Sequence, residues 1–124
     1  MAVPGLDNIT SLLGSFLDVQ SRRAEIVAGN LANADTPGYA ARELDFDDFL
    51  RDAASQALNP AANKSGSELR VVEQQTTTIG IDGNTVDAGR EMSTLAEAGM
   101  KYLEGAQLLQ LRLRTLRMAI REGK

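Results

Sequence analysis

Two stretches of the chain carry apolar residues at helical spacing, one near each end, with a less regular segment between them. Toward the N-terminus, Ile9, Leu12, Leu13, Phe16, Val27 and Leu31 recur mostly at three- and four-residue steps, the period of an amphipathic helix. Gln20, Arg23 and Ala24 interrupt the stripe, and Gly14 and Gly29 each cost about 1 kcal/mol relative to Ala inside a helix. The pattern predicts a helix over residues 8–33, entered at Asn8 or Thr10 as N-cap, that depends on a partner for stability. It is expected to stop at Asn33, because Asn tolerates the left-handed backbone found just past helix ends.

The C-terminal pattern is stronger. Counting a and d positions from Met92 gives Met92, Leu95, Gly99, Tyr102, Ala106, Leu109, Leu113, Leu116 and Ile120. Large apolar residues fill all of these except Gly99 and Ala106 over four heptads, the pattern of a coiled-coil seam. The spacing predicts a helix over 87–122. Asp87 near its start and Arg112, Arg114, Arg117, Arg121 and Lys124 near its end suit the helix dipole. Leu103, Leu108 and Leu111 lie off the a/d line, so the apolar face is wider than one neighbour covers. The first helix can cover one stripe; the remainder points to other subunits.

Between the helices, Thr36-Pro37-Gly38-Tyr39 has the signature of a type II turn, with Pro37 presetting the first central position and Gly38 supplying positive φ at the second. Asp35, Glu43, Asp45, Asp47, Asp48 and Asp52 face only Arg42 and Arg51 in this region. A short helix is expected over 47–58, ended by Pro60 and followed by a tolerant loop over 61–67. Leu69 to Val72 and Thr76 to Ile81 have strand character, and Asp82-Gly83-Asn84 is a turn sequence, so a small two-stranded ribbon is expected there.

The whole is 124 residues with 43% hydrophobic but only 4% aromatic residues, which suits a thin aliphatic helix-to-helix core better than a compact globule. There is no Cys and no His, which removes thiol nucleophiles, disulfides, imidazole bases and nearly every zinc site. A net charge of −4 argues against a nucleic-acid partner. No apolar run approaches the roughly 20 residues needed to span a bilayer, so no membrane insertion is expected. Met1 to Asp7 lacks the basic and apolar regions of a cleavable secretory leader.

Candidate chemistry is sparse. The acids around Asp45 to Asp48 lack the defined separation and pocket of a hydrolytic carboxylate pair and read as a solvated or partner-facing segment. Placing Gly83 at the sixth position of a calcium loop puts Thr78 and Gly80 where acidic ligands belong, so a turn is the better reading. With no phosphate-binding loop or nucleophile elbow, no catalytic, cofactor or metal residues are assigned, and an enzyme is not expected. The C-terminal arginines alternate with Leu111, Leu113, Leu116 and Ile120. They fit either a solvated, dipole-complementing face or an electrostatic contact between neighbouring subunits that fixes register.

Two segments resemble the flagellar axial family of rod and hook subunits. Asn30-Leu31-Ala32-Asn33-Ala34-Asp35-Thr36-Pro37-Gly38-Tyr39 is similar to the signature those subunits share. Asp82-Gly83-Asn84-Thr85-Val86-Asp87, followed by Glu91-Met92 and the helix holding Tyr102, resembles the C-terminal block of its proximal-rod branch, as does Arg42-Glu43-Leu44-Asp45-Phe46. The resemblance spans roughly residues 8–50 and 80–122. Gly29 stands where the family often has a polar residue, and Glu97-Ala98-Gly99 is smaller than its usual equivalent.

The resemblance implies a structural subunit exported uncleaved through the flagellar type III apparatus. It implies helical assembly in the periplasmic rod above the membrane-embedded export gate, with terminal helices forming the inner tube. The partners implied are further copies of itself, a FlgC-like rod protein, the FliE junction protein and the export gate. The fold expected is mainly α, one rod-subunit domain over 1–124: two long terminal helices in an antiparallel coiled-coil hairpin, with a loop and small β-ribbon over 34–86. Asn30, Asn33, Thr36, Pro37, Gly38, Tyr39, Asp82, Gly83 and Asn84 are the motif and turn candidates. Met92, Leu95, Tyr102, Leu109, Leu113, Leu116 and Ile120 are the assembly-seam candidates. Another short rod subunit, or a free helical-hairpin adaptor, are the alternatives.

Overall fold

A computed structural model describes residues 4–49, 51, 69–76 and 78–123. The described elements are mainly helical: α1 (Pro4–Ala32), β1 (Arg42–Leu44), β2 (Val71–Glu73) and α2 (Ala88–Glu122). The two long helices are at the two ends of the chain, and the strands form one small antiparallel sheet. Residues 46–49 and 51 are also helical. The rest of the helix expected over 47–58, and the loop expected over 61–67, fall outside the described residues.

The first helix has 29 residues, about 44 Å, and starts at Pro4 rather than at Asn8 or Thr10. The fixed φ of proline suits a first helical turn, where its missing N–H costs nothing. Its other end also differs from expectation. Asn33 does not adopt positive φ; among the described residues only Gly38 and Gly83 do. The chain instead leaves the helix through successive tight turns, with Asn33 N donating to Gly29 O and Asn30 O, Ala34 N to Leu31 O and Thr36 N to Asn33 O. The Asn33 side chain donates to Gly29 O at 2.8 Å. The second helix has 35 residues, about 52 Å. Asp87 is its N-cap: Oδ1 accepts Arg90 N at 3.1 Å, and its carbonyl accepts Glu91 N.

The sheet pairs Arg42 with Glu73, Glu43 with Val72 and Leu44 with Val71. It is extended by Asp45 N to Arg70 O and Gln74 N to Ala41 O. The strand around Val71 therefore finds its partner some 30 positions earlier in the sequence, not in the segment from Thr76 to Ile81. The end of that segment turns back on the residues that follow it instead: Gly83 N donates to Gly80 O, and Gly80 N to Asn84 O.

The chain divides into two compact units, one made of Met1–Glu25 with Ser93–Lys124, the other of Ile26–Met92. In the first unit the helices run antiparallel. Arg23 Nη2 is 3.5 Å from Glu97 Oε2, and earlier on α1 but later on α2, Phe16 and Leu17 meet Gly105. A Cβ on Gly105 would stand 2.9 Å from Phe16 Cδ1 and 3.0 Å from Leu17 Cδ2, so glycine is what permits this approach. Val19, Gln20 and Ala98 are buried here, and Gln20 Oε1 has no hydrogen-bond partner. A groove of about 430 Å³ is lined by Gln20, Ser21, Ala24, Ala98, Gly99, Tyr102 and Leu103. No described helix is long and apolar enough to cross a membrane.

Candidate functional site

In the unit Ile26–Met92, the segment 30–39 and the segment 82–87 close on each other through backbone. Gly38 N donates to Asp82 O at 2.9 Å and Thr85 N to Tyr39 O at 3.1 Å, while Ala41 N donates to Thr85 Oγ1 at 2.9 Å. Tyr39 N returns to Thr36 O at 3.3 Å, closing the turn over Pro37. The two tight turns touch at their glycines. Gly38 has φ +72° and Gly83 φ +80°, a backbone that side-chain-bearing residues adopt at a cost. A Cβ on Gly83 would be 3.5 Å from the Gly38 Cα.

Asn84 lies between them, buried. Its Nδ2 is 2.9 Å from Asn33 O, 3.0 Å from Ala34 O and 2.7 Å from Thr36 O. Its Oδ1 accepts Val86 N at 2.7 Å, and its own N–H is held by Asp82 Oδ1 at 3.1 Å. Carbonyls at a helix C-terminus lack intrahelical donors. Asn84, about fifty positions downstream, supplies donors to the carbonyls that follow α1.

A second buried asparagine fixes the start of the sheet. Asn30 Nδ2 donates to Arg42 O at 2.8 Å and Oδ1 accepts Arg42 N at 2.9 Å. The side-chain amide thus pairs with Arg42 as a neighbouring strand would. The same Nδ2 donates to Glu91 Oε2 at 2.9 Å, and the Tyr39 hydroxyl reaches Oδ1 at 3.4 Å. Glu91 is buried as fully as Asn30; its other oxygen accepts Gln74 Nε2 at 3.1 Å. A buried carboxylate is costly unless its oxygens are hydrogen-bonded, and here both are. The nearby Arg90 instead approaches Glu43, at 3.9 Å.

Of the motif candidates, Asn30, Asn33, Thr36, Pro37, Gly38, Tyr39, Asp82, Gly83 and Asn84 all belong to this one cluster. Thr36 contributes its carbonyl and a hydroxyl bond to Asn33 Oδ1. Sequence reasoning left Gln74 unassigned and gave no role to the buried carboxylate of Glu91. A glutamate in a first helical turn reads as a dipole partner, and nothing in the local pattern marks it as buried. The cluster's polar atoms are engaged with one another, so its chemistry is positional: it fixes residues 26–32 of α1, the sheet and the first turn of α2. Among the described residues no group of three acidic side chains converges as a metal-holding set.

The assembly-seam candidates lie along α2 with differing exposure within the chain. Met92, Tyr102, Leu113 and Ile120 are exposed, Met92 and Ile120 by about two-thirds (65% and 66%). Leu95, Leu109 and Leu116 are half-buried. The enclosed positions of α2 in the first unit are Ala98 and Gly105, one residue before Gly99 and Ala106 on the counted line. The helices meet where small residues allow close approach, and that turns the large apolar line away from α1.

Residues 17–39 match the family model of the flagella basal body rod protein. The chain is 32% identical over 122 residues to the flagellar basal body rod protein FlgB of Salmonella typhimurium, covering 86% of this chain and 88% of that protein. It is 31% identical over 128 residues to the protein of the same name from Escherichia coli K12, with the same coverage. With that of Yersinia ruckeri it shares 29% identity over 133 residues, covering 95% of this chain and 97% of the relative.

Proposed function

The chain belongs to the FlgB family of flagellar basal body rod proteins, and from that premise we propose that it builds the proximal rod by helical packing of its terminal helices. On this reading the two helices form an antiparallel coiled-coil hairpin within the subunit, and their outward faces meet neighbouring subunits. The subunit stands above the membrane-embedded export gate in the periplasmic part of the basal body. It contacts the FliE junction protein, and a FlgC-like rod protein continues the structure distally. Its role is structural rather than catalytic.

The observation that carries the reading is the large apolar surface left open along both helices: Ile9, Leu12 and Phe16 on α1, and Leu103, Leu108, Leu111, Met118 and Ile120 on α2. Covering a side chain of this size contributes roughly 1.5–3 kcal/mol, so neighbours that cover several gain a substantial association energy. Leu113→Asp places a charge on this surface, and a buried unpaired charge costs more than a lost Leu contact contributes. The variant is expected to be secreted but absent from purified basal bodies. Normal incorporation and swimming would refute packing through this face.

A further inference from the structure

We propose that the acid-rimmed groove beside the small sheet receives the arginine-rich end of α2 from a second copy of the chain. The inference rests on the rod-subunit reading and names one contact within it. The groove, about 520 Å³, has Phe46 and Val72 among its apolar lining residues, with Glu43, Asp45, Asp47 and Glu73 around them. Two of these carboxylates are partly engaged: Glu43 lies 3.9 Å from Arg90, and Asp45 Oδ1 accepts Asp48 N. Asp47 and Glu73 are exposed and form no ion pair among the described residues; Arg42 stands opposite Glu73 on the ladder without closing one.

The same chain carries the complement. Arg114, Arg117 and Arg121 are exposed on the last turns of α2 and have no ion-pair partner among the described residues. Beside them on the same turns stand exposed Leu113, Met118 and Ile120. Apolar lining with an acidic rim thus matches an apolar face with a basic rim. The helix dipole accounts for cations in the last turn, but its effect fades within that turn, and Arg114 lies two turns before the end of the helix.

Groove and helix end are different surfaces, so their union is head-to-tail and propagates into a ring or an open helix rather than closing as a two-fold dimer. Charges at such a rim set orientation and register more than affinity. That is the role a helically arranged subunit needs from them.

The chain has no cysteine, which allows a direct test. Differently tagged copies carrying Asp47→Cys or Arg117→Cys are co-produced in cells deleted for the native gene, and purified basal bodies are oxidised. The expected product is a mixed disulfide dimer in excess of either homodimer. Adding Arg114→Glu to the Arg117→Cys copy should lower the mixed yield about two- to fivefold, the effect of losing one exposed ion pair. Adding Glu73→Arg to the other copy should recover it. Incorporation of both copies without the mixed dimer, or cross-linking of either cysteine to a different protein, overturns the proposal while leaving the rod reading intact. So does a chain with both cysteines that closes an internal disulfide at high dilution. Absence of the unsubstituted chain from basal bodies sinks the rod reading, and this contact with it.

Discussion

Replacing Asn84 tests whether the cluster that joins the two motif segments depends on one side chain. The amide donates toward three carbonyls and accepts Val86 N. In Asn84→Ala, Asn33 O keeps the Thr36 N–H and Thr36 O keeps the Tyr39 N–H. Ala34 O and Val86 N keep no partner among the described residues. Two backbone groups left unsatisfied at a part-buried site cost about 1–3 kcal/mol each when water cannot reach them and less when it can. A loss of about 2–4 kcal/mol is therefore expected. Asn84→Asp sharpens the test because it keeps the shape and reverses the donor, pointing a carboxylate oxygen at three carbonyl oxygens. At neutral pH it should be more damaging than Ala, and acidification that protonates it should recover part of the loss. Native-state hydrogen exchange at Gly38, Ala41 and Thr85 reads the effect directly, since their N–H groups close the cluster. Protection in Asn84→Ala within tenfold of the parent, about 1.4 kcal/mol, would refute the assignment, as would an Asp variant milder than Ala.

Gly38→Val should destabilise the same unit more than Gly38→Asn, because a β-branched residue resists positive φ and Asn tolerates it; equal urea midpoints would exclude the turn geometry as the cause. Gly14→Ala should stabilise α1 by about 1 kcal/mol, since a Cβ there meets nothing within 4 Å. Gly105→Ala should fall short of that gain by about 1–3 kcal/mol, through overpacking against Phe16 and Leu17, and equal gains at both sites would show that the helices do not meet at Gly105. The Lys101 hydrogen bond, and then the charge of Arg23, hold the Glu97 carboxyl below the ordinary glutamate value. A depressed folded-state value means the contribution is present above the unfolded value and fades as pH falls through the folded one. Carbon-13 titration should place the Glu97 midpoint below those of unpaired glutamates and move it back up in Lys101→Met. The exposed setting keeps the stability effect small.

The long helices were legible because their signals are local and repeated. Apolar spacing predicted α2 to within a residue at its N-terminus, and the Pro37-Gly38 pair marked a turn whose Gly38 has positive φ. The β pairing was not legible. Arg42-Glu43-Leu44 has no β-branched residue and is too short to show alternation, and its partner is set by contacts thirty positions away. The positions through which α2 meets α1 were not legible, because apolar periodicity ranks positions by size. Here the helices meet through the smallest residues, Ala98 and Gly105. Gln74 was hidden, and Asn84 was marked only as a turn residue, for a related reason: an amide that bonds distant groups looks, in sequence, like any loop or strand-end polar residue. Asn33 offered a local reason for α1 to end, but the carbonyls beyond it take their donors from Asn84.

The two units differ in which interactions remain unfilled, and that difference bears on assembly. In Ile26–Met92 the buried Asn30, Asn84 and Glu91 have their hydrogen bonds within the unit. Networks of this kind add little net stability for their size but penalise any altered geometry, because a misplaced member leaves a buried polar atom unpaired. In the helical unit the reverse holds: Leu103, Leu108, Leu111 and Met118 are exposed, and Gln20 keeps a buried oxygen without a donor. Apolar contact is non-directional and tolerates small slips in register, so it supplies affinity without fixing orientation. On the proposed reading, the helices contribute association energy while the polar cluster fixes the geometry of the motif segments within its own unit. Perturbations should then separate by phenotype. Leu113→Asp should remove incorporation while leaving exchange protection at Gly38 and Thr85 intact, whereas Asn84→Ala should lose that protection first. A variant of either kind that loses both together would mean that the cluster forms only when the helices are packed.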